Sequence, residues 1–405
     1  MAHSASRTDH AECTFAPAPR RRLVFAWLLL ANLALGFAAV AQQVAESPNA
    51  TYVGVTTTAT ITQRFEIYDP HSAEELQAVK EMGFTQVILD WSNLHADATA
   101  IGLDVVLANW WTHETPAAEI ERALDLAKQV ERRNLAGISV MDEPGRNSPE
   151  TPADYYAELY DRLRPRLDRE LPGVRLEISH WGPLTSWSEV DYYLATPLYK
   201  SADVMRIMPY PDLYDGPLND VYFMMQRSKS LMAGVDRDLP LLVILQAWTL
   251  PPKSELPTIA ELRVMAYQAM LGGATTLSFY HYRPEEWSQT PGFHEAFSEL
   301  MNELTRLSER FADASIESTM TQTGILLAIL TLPSNEMVEI RINTNRAAVD
   351  GLDALAVEQS TLRFAEGLGT CHENAWRTRR VGNGRRCSRR SRTPFSRRLR
   401  VGSSE

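Results

Sequence analysis

Gly137-Ile138-Ser139-Val140-Met141-Asp142-Glu143-Pro144 is a short apolar run that ends in two adjacent carboxylates and a proline. Its β-branched residues favour a strand. Proline ends that strand, because it has no N–H to give to a ladder. Asp142 and Glu143 are thereby expected at the rim of a sheet. Two neighbouring carboxylates can hold different protonation states at one pH, since the charge of the first raises the pKa of the second. On its own the triplet reads equally well as a turn cap, Asp142, beside a solvated Glu143.

The same kind of run recurs along the chain. Arg64–Tyr68, Thr85–Asp90, Asp104–Asn109, Gly137–Met141, Arg175–Ser179, Asp203–Met208, Leu241–Gln246 and Thr275–Tyr280 are short and rich in Val, Ile and Leu. They are mostly apolar throughout, as strands covered on both faces should be. Helix signals stand between them. Ser72-Ala73-Glu74-Glu75 and Thr258-Ile259-Ala260-Glu261 read as capping boxes. Thr151-Pro152 places proline at the first helical position, and Gly272-Gly273 ends the helix that carries Ala266, Met270 and Leu271. Strand–helix alternation over residues 60–313, about eight units, predicts a parallel sheet closed as a (β/α)₈ TIM barrel. A doubly wound open sheet is the competing topology; no glycine-rich phosphate loop follows the first strand to favour it.

Beyond residue 313 the pattern changes to strands without helices: Thr323–Leu332, Met337–Thr344 and Ser360–Phe364. Residues 314–365 therefore read as a small β appendage, an incomplete sandwich packed on the barrel. Residues 366–405 hold eleven arginines against three glutamates, a balance of +8. With −11 for the whole chain, residues 1–365 are left with −19. An acidic body of this kind is a poor partner for nucleic acid. The tail reads as disordered or as the product of a shifted reading frame, with polyanion binding as the functional alternative.

At the other end, Arg20-Arg21-Arg22 precedes an apolar run from Leu23 to Ala38 and then Ala39-Val40-Ala41. That is the pattern of a signal peptide over residues 1–41, cleaved before Gln42, with residues 42–59 as a linker. The expectation is a secreted or periplasmic protein without a membrane anchor after cleavage. Cys13, Cys371 and Cys387 all lie outside residues 42–365, so the main domain holds itself by core burial alone.

In a barrel, chemistry belongs at the C-terminal ends of the strands. Those ends offer Tyr68-Asp69 with His71, Asp90-Trp91, Asn109-Trp110-Trp111, Asp142-Glu143, His180-Trp181, Tyr210 with Asp212, Gln246 with Trp248, and Tyr280-His281-Tyr282 with Glu286-Trp287. Six of the nine tryptophans fall there. Two or three are expected to be buried under loops. The rest would form flat walls with polar edges, which suit the C–H faces and hydroxyls of sugar rings. His71, His95, His113, His180 and His281 show no ligand spacing, so neither a metal nor another cofactor is implied. No Gly-x-Ser-x-Gly elbow appears.

Residues 60–313 resemble the (β/α)₈ glycoside hydrolases, particularly those of clan A type. In that clan the fourth strand ends in Asn-Glu, often Asn-Glu-Pro, and the Glu is the general acid/base. The resemblance implies that Glu143 is the acid, with Asp142 in place of the usual Asn. The segment from Met265 through Gly272-Gly273 to Phe279-Tyr280 also resembles the seventh helix and eighth strand of such barrels. A departure stands at strand seven, where the clan's nucleophilic Glu is replaced by Gln246, and an amide cannot form the glycosyl ester. Three routes remain. The Asp142-Glu143 pair is similar to that of retaining N-acetylhexosaminidases, in which Glu protonates the leaving oxygen and Asp orients the substrate's own acetamido nucleophile. Alternatively Asp69, Asp90, Asp212 or Glu286 supplies the second carboxylate, or the barrel only binds glycans without cleaving them. Adjacent strand residues point to opposite faces, so the pair can share a site only if the strand distorts. The resemblance implies a carbohydrate substrate. Tyr210, Gln246, Tyr280 and Tyr282 are candidate hydrogen bonders at the cleft floor. Trp110, Trp181 and Trp248 are candidate walls, with Asp90, Trp91, Asn109 and His180 as further contacts.

Overall fold

In the computed structural model eight parallel strands close on themselves in chain order, each hydrogen-bonded to the next and the eighth to the first. The structure describes residues 61, 64–90, 94–109, 111–142, 153–181, 202–211, 216–234, 239–249 and 255–362. The expected signal peptide (1–41), linker (42–59) and basic tail (366–405) lie outside the described residues. The strands are β1 Arg64–Tyr68, β2 Gln86–Leu89, β3 Asp104–Ala108, β4 Leu135–Asp142, β5 Arg175–Trp181, β6 Val204–Met208, β7 Leu241–Gln246 and β8 Thr276–Tyr280. The described helices of the barrel are α1 Ala73–Glu81, α2 Leu94–Ala100, α3 Ala117–Ala127, α4 Ala153–Glu170, α5 Asp220–Gly234, α6 Ile259–Leu271, α7 Pro284–Trp287 and α8 Phe293–Arg310. The closed barrel is the expected fold, and strand bounds differ from expectation mainly at β4 and β5, which run longer.

Strand patterning explains the closure. All six residues of β7 and all four of β2 are buried, because one face meets the helices and the other the barrel interior. Alternate residues sort accordingly. Tyr68, Ile88, Val106, Val204, Met208, Tyr210, Leu242 and Ile244 form an interior cluster separate from the core between strands and helices.

Helix starts follow their caps. Thr258 and Glu261 form the full reciprocal box at α6, with bonds of 3.2 and 2.9 Å. At α1 the box is only half made: Ser72 Oγ accepts from the Glu75 N–H at 3.1 Å, but the Glu75 carboxylate accepts from His71 N instead. Gly272 caps the end of α6.

Four strands, not three, follow the barrel: β9 Ser315–Met320, β10 Ile325–Thr331, β11 Met337–Asn343 and β12 Val357–Leu362. They make one antiparallel sheet in the order β12-β11-β10-β9, rather than an incomplete sandwich. The sequence Ser-Ile-Glu-Ser-Thr-Met of β9 has only Ile316 and Ser318 buried, so it lacks the continuous apolar run that marks the other strands. Among the described residues, no helix is long and apolar enough to cross a membrane.

Candidate functional site

Parallel strands send all their C-terminal ends to one mouth, and the β4 end differs from its neighbours. β4 pairs with β5 at Ser139↔Glu177 and again at Asp142↔Ser179. Three steps on β4 therefore match two on β5, a bulge-like shift just before the strand closes at Asp142. Such a shift breaks the strict two-residue alternation at the strand end. Glu143 is the next residue and lies outside the described residues, as do Trp91, Trp110 and Asp212. Asp142, His180 and Trp181 close their strands, but their side chains lie outside the description.

Across the mouth, β7, β8 and β1 present a continuous aromatic pile. Gln246, Tyr280 and Tyr68 stand in one row, since β7 pairs Gln246 with Tyr280 and β1 receives Tyr282 N at Tyr68 O. Tyr68 meets Tyr280 edge-on at 5.1 Å, and Tyr280 meets Trp248 edge-on at 5.3 Å. His281 stacks on Tyr280 at 4.3 Å, across a cis Tyr280–His281 peptide. The Gln246 amide donates to Trp248 O at 3.0 Å. Two buried polar atoms of this pile, Gln246 Oε1 and Trp248 Nε1, have no hydrogen-bond partner among the described residues. Buried polar atoms normally find a partner, which makes these two worth noting.

A charged arc flanks the pile. Asp69 follows β1 in the left-handed region, φ 67°, with its N–H donating to Ile88 O. Aspartate tolerates that region better than most residues. Burial, partly opposed by His71 and reinforced by Asp90, pushes the Asp69 carboxyl above its ordinary value. His71 Nε2 lies 3.6 Å from Asp69 Oδ2 and 3.2 Å from Arg283 Nη1. Arg283 Nε donates to His281 Nε2 at 2.7 Å. Burial, then the charges of Arg283 and His71, pushes His281 down to about 3, so its ring is neutral and its Nε2 is an acceptor. Asp90 is exposed at the end of β2. Among the described residues, no group of three or more His, Cys, Asp and Glu is placed to hold a metal ion.

Other expected contacts stand elsewhere. Tyr282, expected on the cleft floor, is 3% exposed in the outer core and packs edge-on against Trp287 at 5.1 Å. Trp287 and Trp111 are each 1% exposed in that same core. Trp287 donates from Nε1 to Ala247 O at 2.8 Å. Glu286 Oε1 accepts from Thr249 N at 2.5 Å, which ties that carboxylate to the β7 exit. Asn109 is buried, and its amide donates to Leu107 O and Ser139 O at the β3–β4 seam, with Oδ1 unpartnered among the described residues. Tyr210, by contrast, shares the interior cluster with Tyr68 and Tyr280, on the side of the aromatic pile. Arg283, which organises the arc, was not among the expected site residues, although it directly follows Tyr280-His281-Tyr282 at the β8 end.

No protein-family model matches the chain, and no curated protein matches it. Among solved structures it is similar to a glucosidase from Croceicoccus marinus, at 12% identity over 73% of this chain and 78% of that one, TM-score 0.49. It is also similar to a family 51 α-L-arabinofuranosidase from Bifidobacterium longum, at 11% identity over 73% and 84%, TM-score 0.48. An endo-β-1,3-glucanase from Amycolatopsis mediterranei is similar at 15% identity over 59% and 99%, TM-score 0.42. These likenesses assign no residue a role.

Proposed function

We propose that this chain is an exported glycoside hydrolase that cleaves a glycosidic bond of an oligo- or polysaccharide at the C-terminal mouth of its barrel. Glu143 is the general acid/base and Asp142 its orienting partner. The observation that carries the reading is the register shift between Ser139 and Asp142, which ends β4 irregularly just where the two carboxylates occur. Bulges are frequent beside active sites, where they re-aim a strand end. The aromatic pile of Tyr68, Tyr280 and Trp248, with Gln246 Oε1 and Trp248 Nε1 unpartnered among the described residues, supports a sugar ligand.

The chemistry then follows from what strand seven lacks. Glu143 protonates the leaving oxygen as the C–O bond breaks. Gln246 cannot accept the resulting oxocarbenium-like centre as an ester. The nucleophile is the substrate's own acetamido oxygen, oriented by Asp142, or a carboxylate from another strand. Of the carboxylates named from sequence, Glu286 is engaged by Thr249, whereas Asp69 is half-buried beside the aromatic pile.

The test is hydrolysis of a panel of aryl glycosides, N-acetylhexosaminides included, by the chain beginning at Gln42 and by its Glu143→Gln variant. Loss of turnover in the variant is the expected result, and a preference for N-acetylhexosaminides selects the substrate-assisted route. Equal activity in both proteins rules out Glu143. No turnover by either, with retained polysaccharide binding, points instead to a glycan-binding barrel.

A further inference from the structure

The N-terminal ends of the strands gather at the opposite mouth. Here Arg64 opens β1, Asp104 opens β3 and Arg175 opens β5, with Arg132 and Arg133 just ahead of β4. Between them lies an open concavity of about 700 Å³, also walled by Pro172 and Gly173. Among the described residues, four arginines converge on it, and Asp104 is its one acidic wall residue. That concentration of positive charge contrasts with the −19 carried by residues 1–365.

The four are held differently. Arg133 pairs with Glu131 at 2.8 Å. Arg175 is fixed from below: its Nη2 lies 2.9 Å from the buried Glu177 carboxylate, and its Nε donates to Ala136 O at 3.2 Å. Arg64 and Arg132 have no carboxylate within 4.0 Å among the described residues. Arg132 lies against Gly173, where a Cβ would meet its Nη2 at 3.4 Å and where φ is +81°. Glycine adopts that backbone without strain. Guanidinium groups repel one another in a shared concavity unless an anion joins them, and their planar forks match tetrahedral oxyanions.

We propose that the N-terminal mouth of the barrel binds a tetrahedral oxyanion of the phosphate or sulfate type, held by Arg64, Arg132 and Arg175. The site is separate from the glycan-facing mouth and does not depend on the activity proposed there. No bond is made or broken.

The experiment is calorimetric titration of the full chain with inorganic phosphate and with inorganic sulfate, against sodium chloride at matched ionic strength. Saturable binding of either oxyanion, absent with chloride, is expected. Arg64→Ala and Arg132→Ala should each weaken it about tenfold, the loss of one charge-assisted contact. Arg306→Ala, on the exposed face of α8, should leave it unchanged. Phosphate without sulfate selects the phosphate source, and the reverse selects sulfate. Both arginines are exposed, so their variants should keep the thermal melt of the parent; if one does not, Arg132→Lys, which keeps the charge and loses the fork, provides the reading. Absence of saturable binding, an equal response to chloride, or unchanged affinity in both alanine variants overturns the proposal.

Discussion

Arg206 of β6 and Glu66 of β1 form an ion pair across the inside of the barrel, and neither side chain reaches solvent. Arg206 Nη1 also donates to Glu177 Oε2 at 2.5 Å, and Ser278 Oγ donates to Glu66 Oε1 at 2.7 Å. Burial pushes the Glu66 carboxyl above its ordinary value, against the pull of Arg206. Space for the network comes from Gly137, where a Cβ would stand only 2.6 Å from Glu177 Oε1. The guanidinium carbon of Arg206 lies 5.3 Å from the Tyr68 ring centroid, so the network also supports the aromatic pile above it.

Removing Arg206 alone leaves two buried carboxylates without their shared cation. Arg206→Met should cost about 3–5 kcal/mol in urea unfolding. Adding Glu66→Gln should restore a large part of that loss, because Glu66 then carries no uncompensated charge while Glu177 keeps Arg175. A single variant within about 0.5 kcal/mol of the parent contradicts this account of the barrel interior.

His281 sets a pH dependence with a definite sign. Its folded value of about 3 lies below its ordinary 6.5, because burial, and then repulsion from Arg283 and His71, oppose the charged ring. The unfolded chain therefore takes up the proton first as pH falls. The stability contributed by the neutral ring is complete above about 6.5 and is lost as pH drops towards 3. His281→Phe should flatten the fall in unfolding free energy over that window by on the order of 2 kcal/mol. A His281 resonance titrating near its ordinary value in NMR contradicts it.

Asp220, the first residue of α5, behaves oppositely. Burial raises its carboxyl from 3.8 to about 7. A raised acid contributes stability that is complete below about 3.8 and is lost as pH rises through about 7. The positive field at the N-terminus of α5 favours the ionised form and offsets part of this. Asp220→Asn should therefore stabilise the protein by about 1–2 kcal/mol at pH 8 and change little at pH 4. Thermal unfolding at the two pH values checks it; equal shifts at both contradict it.

Much of this architecture is written in local pattern. The run Leu241–Gln246 is a strand with the bounds its composition predicts, because a strand covered on both faces is apolar along nearly all its length. The Thr258 box is equally local, since both of its bonds span three residues. What the sequence hides is pairing at long range. The Glu66–Arg206 contact joins residues 140 positions apart, and nothing near either one announces it. The fate of Tyr282 is hidden although its partner is near in sequence: its ring packs on Trp287, five residues on, and joins the outer core, which a strand-end position does not reveal. β9 was missed because half its residues face solvent in an antiparallel sheet, which weakens the apolar signal.

Trp248 gives a direct probe of the C-terminal mouth, where the proposed function places the sugar. Its ring contacts Tyr280 and His281, and its Nε1 has no partner among the described residues. Trp248→Phe keeps a ring but removes the donor, whereas Trp248→Ala removes both. Binding of an oligosaccharide should weaken about tenfold in the first and more in the second. Equal affinity in parent and Trp248→Ala, by fluorescence titration, would place the sugar elsewhere.

The C-terminal sheet makes the last prediction. It is bound to the barrel by polar and apolar contacts together. Tyr222 Oη of α5 donates to Ser318 O at 3.0 Å, and Arg346 Nε donates to Glu261 Oε1 of α6 at 2.6 Å. Ile316, Leu326, Ala328, Leu330, Val338, Ile340 and Ile342 belong to the same buried core as the outer shell of the barrel. Each large aliphatic side chain of that set stabilises by about 1.5–3 kcal/mol on burial, so their combined loss is comparable to the whole stability of a domain. A chain stopped at Asp313 should therefore be recovered aggregated or unfolded. Arg346→Ala alone should cost less than about 1 kcal/mol, because its arginine is partly exposed and the salt bridge is screened. A shortened chain that unfolds cooperatively at the parent's temperature would show that the sheet adds nothing to the barrel's stability. Aggregation of the shortened chain beside a near-normal Arg346→Ala would locate the coupling in the apolar face and not in its charged edge.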